Sequence, residues 1–146
     1  MSPPMSPQEV ARGWIGTPYV HQASRKGAGA DCLGLLRGVW RELYGTEPEE
    51  VPAYSPDWSE PQREERLWAA ARRHLVEKPV REFAPGDVLL FRMRAGSVAK
   101  HLGIVGRPAP GASFIHSYSG HGVVESPLSA PWRRRIVAAF GFPIQE

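Results

Sequence analysis

The chain has 146 residues, 42% of them hydrophobic and 23% charged, an ordinary composition for one soluble globular domain with a core of its own. The formal net charge of +3 suits an anionic partner such as cell wall or nucleic acid but does not choose between them, and the densest basic run, residues 132–135, is more typical of a solvated face. The single cysteine, Cys32, excludes an internal disulfide bond.

The N-terminal segment MSPPMSPQEVARGW has two adjacent prolines and no apolar run. It lacks the pattern of a secretory signal peptide, and no later segment approaches the roughly 18 apolar residues of a membrane-spanning helix. We therefore predict a flexible N-terminus over residues 1–10, followed by a single domain over residues 11–146. We also expect synthesis in the cytoplasm without a signal peptide.

A helix is predicted to begin at Cys32. Apolar side chains recur after it at the spacing of one helical face: Leu35, Leu36, Val39, Trp40, Leu43 and Tyr44. Asp31 is a good N-cap residue, and Gly45 stands where a helix would stop. Cys32 therefore occupies the first helical position.

The segment from residue 46 to residue 61 holds four prolines, which predicts an extended, acidic surface loop. A second helix, rich in alanine, glutamate and arginine, is predicted from Pro61 to about Glu77. Its inward-facing side chains are expected to be Leu67, Ala71 and Leu75.

The second half of the chain consists of short apolar runs separated by turns that contain glycine and proline. Five runs are typical of β-strands: residues 88–91, 101–106, 113–118, 122–126 and 136–140. No helical crossover links them, so an antiparallel sheet is expected. With helices first and strands after, the predicted fold class is α+β.

Cys32 has two interpretations. Free cysteine is among the most buried residue types, so Cys32 can be an apolar filler of the core. It can also be a nucleophile, because a helix N-terminus and a neighbouring histidine both lower the pKa of a thiol. The second interpretation predicts ready labelling by iodoacetamide near pH 7. Gly27 and Gly29 would let the chain turn sharply before the helix, leaving the Cys32 N–H free to stabilise an oxyanion.

All five histidines are candidates for the base. Two lie in the first half of the chain, His21 and His74, and three lie in the strand half, where a base on a rigid sheet would stand opposite the helix: His101, His116 and His121. His101 and His116 lie in successive predicted strands, so they can stand side by side, one as the base and one orienting it. His121 lies in a turn and is expected to be solvated. A zinc site at Cys32, His101 and His116 or His121 is an alternative, although no C-x-x-C pair supports it.

Five short motifs follow one another along the chain. They are Trp14-x-Gly16-x-Pro18-Tyr19, Asp31-Cys32-x-Gly34, Pro85-Gly86-Asp87 before an apolar strand, His101-Leu102-Gly103-Ile104 and Phe114-Ile115-His116. This ordered pattern, from about residue 11 to about residue 126, resembles that of the NlpC/P60 cysteine peptidases. The resemblance implies a papain-like enzyme of bacterial cell-wall metabolism, with its nucleophile at the N-terminus of a helix packed on an antiparallel sheet.

The resemblance also implies roles for particular residues. Cys32 matches the family's nucleophile, His101 its general base, and His116 the third polar residue, which orients the base. Tyr19 matches a tyrosine that lines the site, and Asp31 an acidic residue that contacts the free amine of the substrate. The implied substrate is a peptidoglycan stem peptide, cut between γ-D-glutamate and the diamino acid, and no metal or other cofactor is implied.

The amino-acid sequences of residues 12–45 and of the segment VPAYSPDW are similar to those of a narrower branch of the family, the cell-wall peptidases of phage tails and gene transfer agents. This similarity implies phage-like tail proteins as partners, assembly into the tail of a particle, and action in the envelope of a target cell. We expect neither a nucleic-acid partner nor a membrane span.

Two positions depart from the family pattern. Leu33 follows the nucleophile where the family commonly has a serine associated with substrate binding, so we expect a difference in how the substrate is presented or in which bond is cut. Val20-His21-Gln22 replaces the usual glycine pair, which makes His21 a candidate for lining the cleft.

Two other functions remain open. One is an N-acetylmuramoyl-L-alanine amidase or acyl-transfer enzyme with the same triad. The other is a tail module that binds wall peptide without cutting it. Loss of a triad residue would favour the binding module, and none has been lost.

Overall fold

The computed structural model describes residues 5–47, 65–93 and 98–143. The helices in these ranges are α1 (Pro7–Arg12), α2 (Cys32–Tyr44), α3 (Arg66–His74) and α4 (Ala130–Arg133). The strands are β1 (Ser24–Arg25), β2 (Gly29–Ala30), β3 (Val76–Lys78), β4 (Val88–Arg92), β5 (Ala99–Val105), β6 (Ser113–Tyr118), β7 (Gly122–Pro127) and β8 (Ile136–Gly141). The predicted α+β class is confirmed.

Helix α1 begins inside the segment that was predicted to be flexible. Ser6 caps the helix by accepting a hydrogen bond from the Glu9 N–H, and a proline stands in the first turn, where its missing N–H costs nothing. Val10 and Ala11 are buried against the rest of the core. Residues 7–10 of the predicted tail are therefore ordered by packing, and residues 1–4 lie outside the described ranges.

The prediction for α2 is confirmed at both ends. Cys32 is its first residue, and the Asp31 carboxylate accepts a hydrogen bond of 2.7 Å from the Gly34 N–H. Gly45 ends the helix in the left-handed region, with φ of 88°. The buried stripe faces the sheet, so the helix holds Cys32 at a fixed place above it.

The five predicted strands are confirmed as β4 to β8, and their bounds differ from the prediction by at most two residues. They form one antiparallel sheet with β3, in the order β3-β8-β4-β5-β6-β7. No described helix is long and apolar enough to cross a membrane.

The predicted second helix ends earlier than expected. Helix α3 stops at His74, and Val76–Lys78 form an edge strand that pairs with β8. Pro79 disfavours helical conformation at the residue before it, and the open edge of β8 offers these residues hydrogen bonds. Leu67 and Leu75 are buried and Ala71 packs against the core, as predicted. The start of this predicted helix and most of the proline-rich loop lie outside the described residues.

Apolar clusters cover both faces of the sheet. On one face, α1, α2 and α3 pack against alternate residues of the central strands, such as Leu90, Leu102 and Ile104. On the opposite face, the other alternate residues, such as Phe91 and Phe114, pack with Trp132 of α4. The sheet is therefore covered by a layer of helices on one face and by a smaller apolar cluster on the other.

The start of α2 contacts both β5 and β6. These strands pair through Ile104–Ile115 and Val105–Phe114, next to the turn that joins them. Farther along, Ser117 of β6 donates a hydrogen bond of 2.6 Å to the Ala30 carbonyl. On the side of β5, the Cys32 Sγ lies 3.9 Å from the Lys100 carbonyl oxygen. The Cys32 sulfur is thus brought from the helical layer to the main chain of the sheet.

Candidate active site

A cavity of about 150 Å³ opens beside the N-terminus of α2. Five of the six residues that the sequence singles out for the site line it: Tyr19, His21, Asp31, Cys32 and His101. The remaining lining residues are Met93, Lys100, Ser117, Tyr118 and Ser119. The sixth predicted residue, His116, lies behind His101 and reaches the cavity only through it.

The two predicted histidines are hydrogen-bonded to each other. The Nε2 of His101 lies 2.8 Å from the Nδ1 of His116, and both side chains are buried. Because Nε2 of His101 is used in this contact, Nδ1 is its remaining ring nitrogen. On its other side, His116 Nε2 lies 3.0 Å from the Oγ of Ser126 in β7. The hydrogen-bonded series therefore runs from His101 through His116 to Ser126.

Aromatic rings surround the histidine pair. Phe114 stacks on His116 with 4.1 Å between ring centroids, and the Trp132 ring lies 5.6 Å from His101 and 5.3 Å from His116. The prediction that residues 132–135 form a solvated face is wrong for Trp132, which is partly buried with these rings, while Arg135 lies over its outer side. This enclosure holds both imidazoles in a water-poor environment.

Asp31 organises the loop above the cavity. Its Oδ1 accepts from the Gly34 N–H and its Oδ2 from the Gln22 N–H, each at 2.7 Å. His21 Nδ1 lies 3.7 Å from the same Oδ2, which places this predicted cleft residue at the edge of the site. Asp31 thus connects the start of the helix to the 20–22 loop, where Gln22 adopts a positive φ of 65°.

Gly34, which belongs to the Asp-Cys-x-Gly motif, has a steric reason to be glycine. A Cβ there would lie 1.8 Å from the Ala23 carbonyl oxygen. The loop before the helix therefore packs directly on the helix backbone. Leu33 is one of the residues that depart from the family pattern, in which a serine is common at its place. Its side chain is partly buried and packs against the core, which explains an apolar residue at this position.

The pKa of the Cys32 thiol differs from the expectation based on sequence. Burial, assisted by the Asp31 carboxylate, raises the pKa to about 12, although the main-chain N–H groups of Leu102, Leu33 and Cys32 act in the opposite direction. The thiol is only 7% exposed. The predicted low pKa is therefore wrong, because desolvation of the buried thiol outweighs the favourable helix terminus.

Burial also lowers the pKa of both histidines. The value falls to about 3 for His101, with a further contribution from His116, and to about 4 for His116, with a contribution from His121. Near neutral pH the site therefore contains a neutral thiol and two neutral imidazoles. Each imidazole then has one N–H donor and one acceptor nitrogen, so the tautomers decide what each can do.

We expect iodoacetamide to label Cys32 slowly at pH 7, with a rate that rises about tenfold per pH unit up to pH 10 or beyond, because the fraction of thiolate rises in this way below a raised pKa. Mass spectrometry of the labelled chain gives the rate. A matched control is Val76→Cys in a Cys32→Ala background, since Val76 is 58% exposed and its rate is expected to level off near an ordinary thiol pKa. Fast labelling of Cys32 that is already constant from pH 6 to 8 would show a preformed thiolate and contradict this assignment.

Sequence reasoning missed two residues next to the predicted histidines, Ser126 and Trp132. Ser126 lies on the same face of the β6–β7 pair as His116. The alternation of side chains along the strand GVVES would have placed it there, but only with knowledge of the pairing register. No sequence pattern indicated the position of Trp132, because α4 has only four residues.

His121 is exposed, as predicted, and its ring stacks on that of Tyr118 with 5.3 Å between centroids. Among the described residues, no group of three or more acidic, histidine or cysteine side chains could hold a metal ion.

A larger groove, of about 470 Å³, lies elsewhere, at the C-terminal end of α2. Its two carboxylates are engaged within the fold: Glu42 accepts from the Trp14 indole N–H, and Asp87 accepts from Lys78. It contains neither a cysteine nor a histidine. The smaller cavity therefore holds the reactive groups.

Comparisons with known proteins identify the family and the fold. The NlpC/P60 family model matches residues 16–140. An NlpC/P60 family protein from Bacillus cereus superposes with a TM-score of 0.66 at 19% identity, covering 96% of this chain and 41% of that chain. A lipoprotein-like NLP/P60 protein from Staphylococcus aureus gives 0.61 at 20% identity, with coverages of 96% and 41%. The NlpC/p60 domain of the peptidoglycan hydrolase SagA gives 0.63 at 20% identity, covering 97% of this chain and 100% of that domain.

The chain thus spans about two fifths of the length of the Bacillus and Staphylococcus proteins and the whole of the SagA domain. No curated protein sequence matches it significantly. The solved structures share its fold, with helices packed on an antiparallel sheet, and the family model covers most of its length. On this evidence the chain belongs to the NlpC/P60 family.

Proposed function

We propose that the protein is a cysteine endopeptidase that hydrolyses peptidoglycan stem peptides. One observation carries the proposal: Cys32, at the first position of α2, shares a cavity with His101, whose Nε2 is 2.8 Å from His116. A nucleophile, a base and a residue that orients the base are the components of acyl transfer by a thiol. Family membership supports peptidoglycan as the substrate, since one domain of the same fold belongs to a peptidoglycan hydrolase.

In the proposed reaction, the Cys32 proton first passes to Nδ1 of His101, and the Sγ thiolate then attacks the carbonyl carbon of the scissile bond. The tetrahedral intermediate collapses, His101 gives the proton to the leaving amine, and a thioester remains. Water then attacks the thioester carbon and gives a proton to His101, which returns it to the sulfur as the acid product leaves.

The first proton transfer begins from two neutral groups. It creates a thiolate and an imidazolium in one step, and their mutual attraction inside a buried site stabilises both ions. Three main-chain N–H groups, those of Leu102, Leu33 and Cys32, further favour the thiolate. A bound peptide that displaces water from the cavity strengthens these interactions.

The polar groups around the cavity fit a substrate that carries both amines and carboxylates. Tyr19, His21 and Asp31 lie on the side of the loop, and Lys100 lies on the side of β5. We propose that Asp31 and Tyr19 receive the free amine of the stem peptide and that cleavage occurs between γ-D-glutamate and the diamino acid. Leu33 offers no hydrogen bond, so Tyr19 and Asp31 would bind the amine without help from that position.

We also propose that the protein acts as a tail component of a phage or gene transfer agent. The support is the similarity of residues 12–45 to that branch of the family. Purified particles from a producing strain would be digested with trypsin and searched by mass spectrometry for peptides of this chain. Particles with a full set of tail proteins and no such peptides would contradict this role.

Incubation with defined muropeptides, followed by mass spectrometry, tests the enzymatic function. We expect product masses that correspond to cleavage after γ-D-glutamate, formed by the wild type and not by Cys32→Ala. Release of the intact stem peptide from its muramoyl group would show the amidase activity instead. Binding of the muropeptides with no new product would show a binding module and contradict the proposed enzyme.

A further inference from the structure

We propose that Ser126 is a positioning residue that sets the tautomers of His116 and, through it, of His101. This inference rests on the proposed function only for its effect on catalysis. Its structural part concerns the hydrogen-bonded series of the two histidines and Ser126, and can be tested without substrate.

The geometry gives His116 one partner on each ring nitrogen. Nδ1 lies 2.8 Å from Nε2 of His101, and Nε2 lies 3.0 Å from Oγ of Ser126. His116 is only 1% exposed, so water has little access to either nitrogen. Ser126 lies opposite Phe114 in the β6–β7 register, and Phe114 stacks on His116 and holds the ring in place. Serine and imidazole are thus a diagonal pair across two strands.

His101 can act as a base only if one of its ring nitrogens has a free lone pair. This requirement determines the tautomers of both His101 and His116. For Nδ1 of His101 to accept the thiol proton, its neutral ring must carry hydrogen on Nε2 and donate it to Nδ1 of His116. Then His116 carries its own hydrogen on Nε2 and donates it to Ser126. A Ser126 hydroxyl that accepts this hydrogen is partly exposed and can give its own proton to solvent.

If the hydrogen bond between the two histidines ran in the opposite direction, His101 could not act as the base. If His116 carried its hydrogen on Nδ1, it would donate to Nε2 of His101, which would place the His101 hydrogen on Nδ1, the nitrogen proposed to accept the thiol proton. Without the Ser126 hydroxyl, a hydrogen on His116 Nε2 would be a buried donor with no acceptor, which is less well tolerated than an unpaired acceptor nitrogen at the same place. Loss of the hydroxyl therefore favours the tautomer that cannot accept the thiol proton.

The test compares four proteins: wild type, Ser126→Ala, Ser126→Thr and Ser113→Ala. Ser113 is a matched control, because its hydroxyl also bonds across β6 and β7, to Glu125 at 2.6 Å, and its hydrogen bonds with Glu125 and the Arg107 N–H involve neither imidazole. Nitrogen-15 NMR of the histidine rings near pH 7.5 reports which nitrogen carries hydrogen, and circular dichroism with thermal unfolding reports the fold.

We expect hydrogen on Nε2 of both His101 and His116 in the wild type, in Ser126→Thr and in Ser113→Ala. In Ser126→Ala we expect hydrogen to move to Nδ1 in a large fraction of molecules. On a defined stem peptide, kcat is expected to fall about tenfold or more in Ser126→Ala, with KM little changed, and to be restored by threonine.

Three outcomes would overturn the inference. The first is hydrogen on Nδ1 of His116 in the wild type. The second is an unchanged ring spectrum in Ser126→Ala. The third is an equal change of the ring spectrum in Ser113→Ala. If the wild type cleaves no stem peptide but Ser126→Ala changes the tautomers as expected, the proposed function fails and the positioning role of Ser126 stands.

Discussion

Replacing Cys32 by alanine is expected to abolish hydrolysis of stem peptides and leave the fold intact. Without the sulfur no thioester can form, so the rate should fall by about 10⁴-fold or more, the scale on which an enzyme's covalent nucleophile contributes. The loss of one buried sulfur next to an open cavity should change the free energy of unfolding by only about 1 kcal/mol. Product formation is measured by mass spectrometry and the fold by circular dichroism.

Cys32→Ser is the matched control for this prediction, because it keeps the size and hydrogen bonding of the side chain and removes the thiol chemistry. It is expected to be nearly as inactive as Cys32→Ala. Both variants should still bind the muropeptide, which calorimetry would show, since the other lining residues are unchanged. Undiminished cleavage by Cys32→Ala would show that the thiol is an apolar filler and that the reaction belongs to another group.

Substitutions of His101 and His116 are expected to have different effects, because in the proposed reaction His101 exchanges protons with the reacting groups and His116 does not. His101→Ala should lower the rate by about 10³-fold or more. His116→Ala removes the acceptor for a buried N–H of His101 and should cost about 10²-fold, with a further loss of about 1–3 kcal/mol in stability. Rates on one stem peptide, with the fold checked by circular dichroism, give the comparison.

The geometry of the His101–His116 contact predicts different activities for the two polar variants of His116. The contact with His101 is made by Nδ1, and an asparagine carbonyl oxygen stands at the same bond distance from the main chain as Nδ1. His116→Asn can therefore accept from Nε2 of His101 and should retain measurable turnover. His116→Gln places its oxygen one bond farther and should retain less. Full activity in His116→Ala would remove His116 from the site, and complete loss in both polar variants would show that it does more than orient the base.

The parts of the fold that depend on local pattern could be predicted from the sequence. Helix α2 was predicted to the residue, because its apolar period, its Asp31 cap and its terminal Gly45 all indicate the same bounds. The short strand β3 was not predicted: Val76–Lys78 has one apolar residue and is extended only because it pairs with the edge of β8. Such pairing is decided by tertiary structure and leaves little trace in three residues.

The composition of the site was predicted better than its electrostatics. The order of the motifs was enough to place Cys32 and His101 at one site and His116 beside them. The raised pKa of Cys32 was missed, because a local pattern shows the helix terminus but not how deeply the Sγ is buried beside β5. Ser126 and Trp132 were missed for a similar reason, since each reaches the histidines through contacts between elements.

The contact between the start of α2 and the strands β5 and β6 has a consequence for when the protein can act. The sulfur belongs to the helical layer and both imidazoles belong to the sheet, so neither layer contains a complete reactive centre. If the proposed activity is correct, a chain whose helix and sheet have formed but have not docked cannot hydrolyse its substrate, whatever its content of secondary structure. Heat inactivation should thus coincide with separation of the layers, and a chain kept from docking during its synthesis or transport would be harmless to its surroundings until the last packing step.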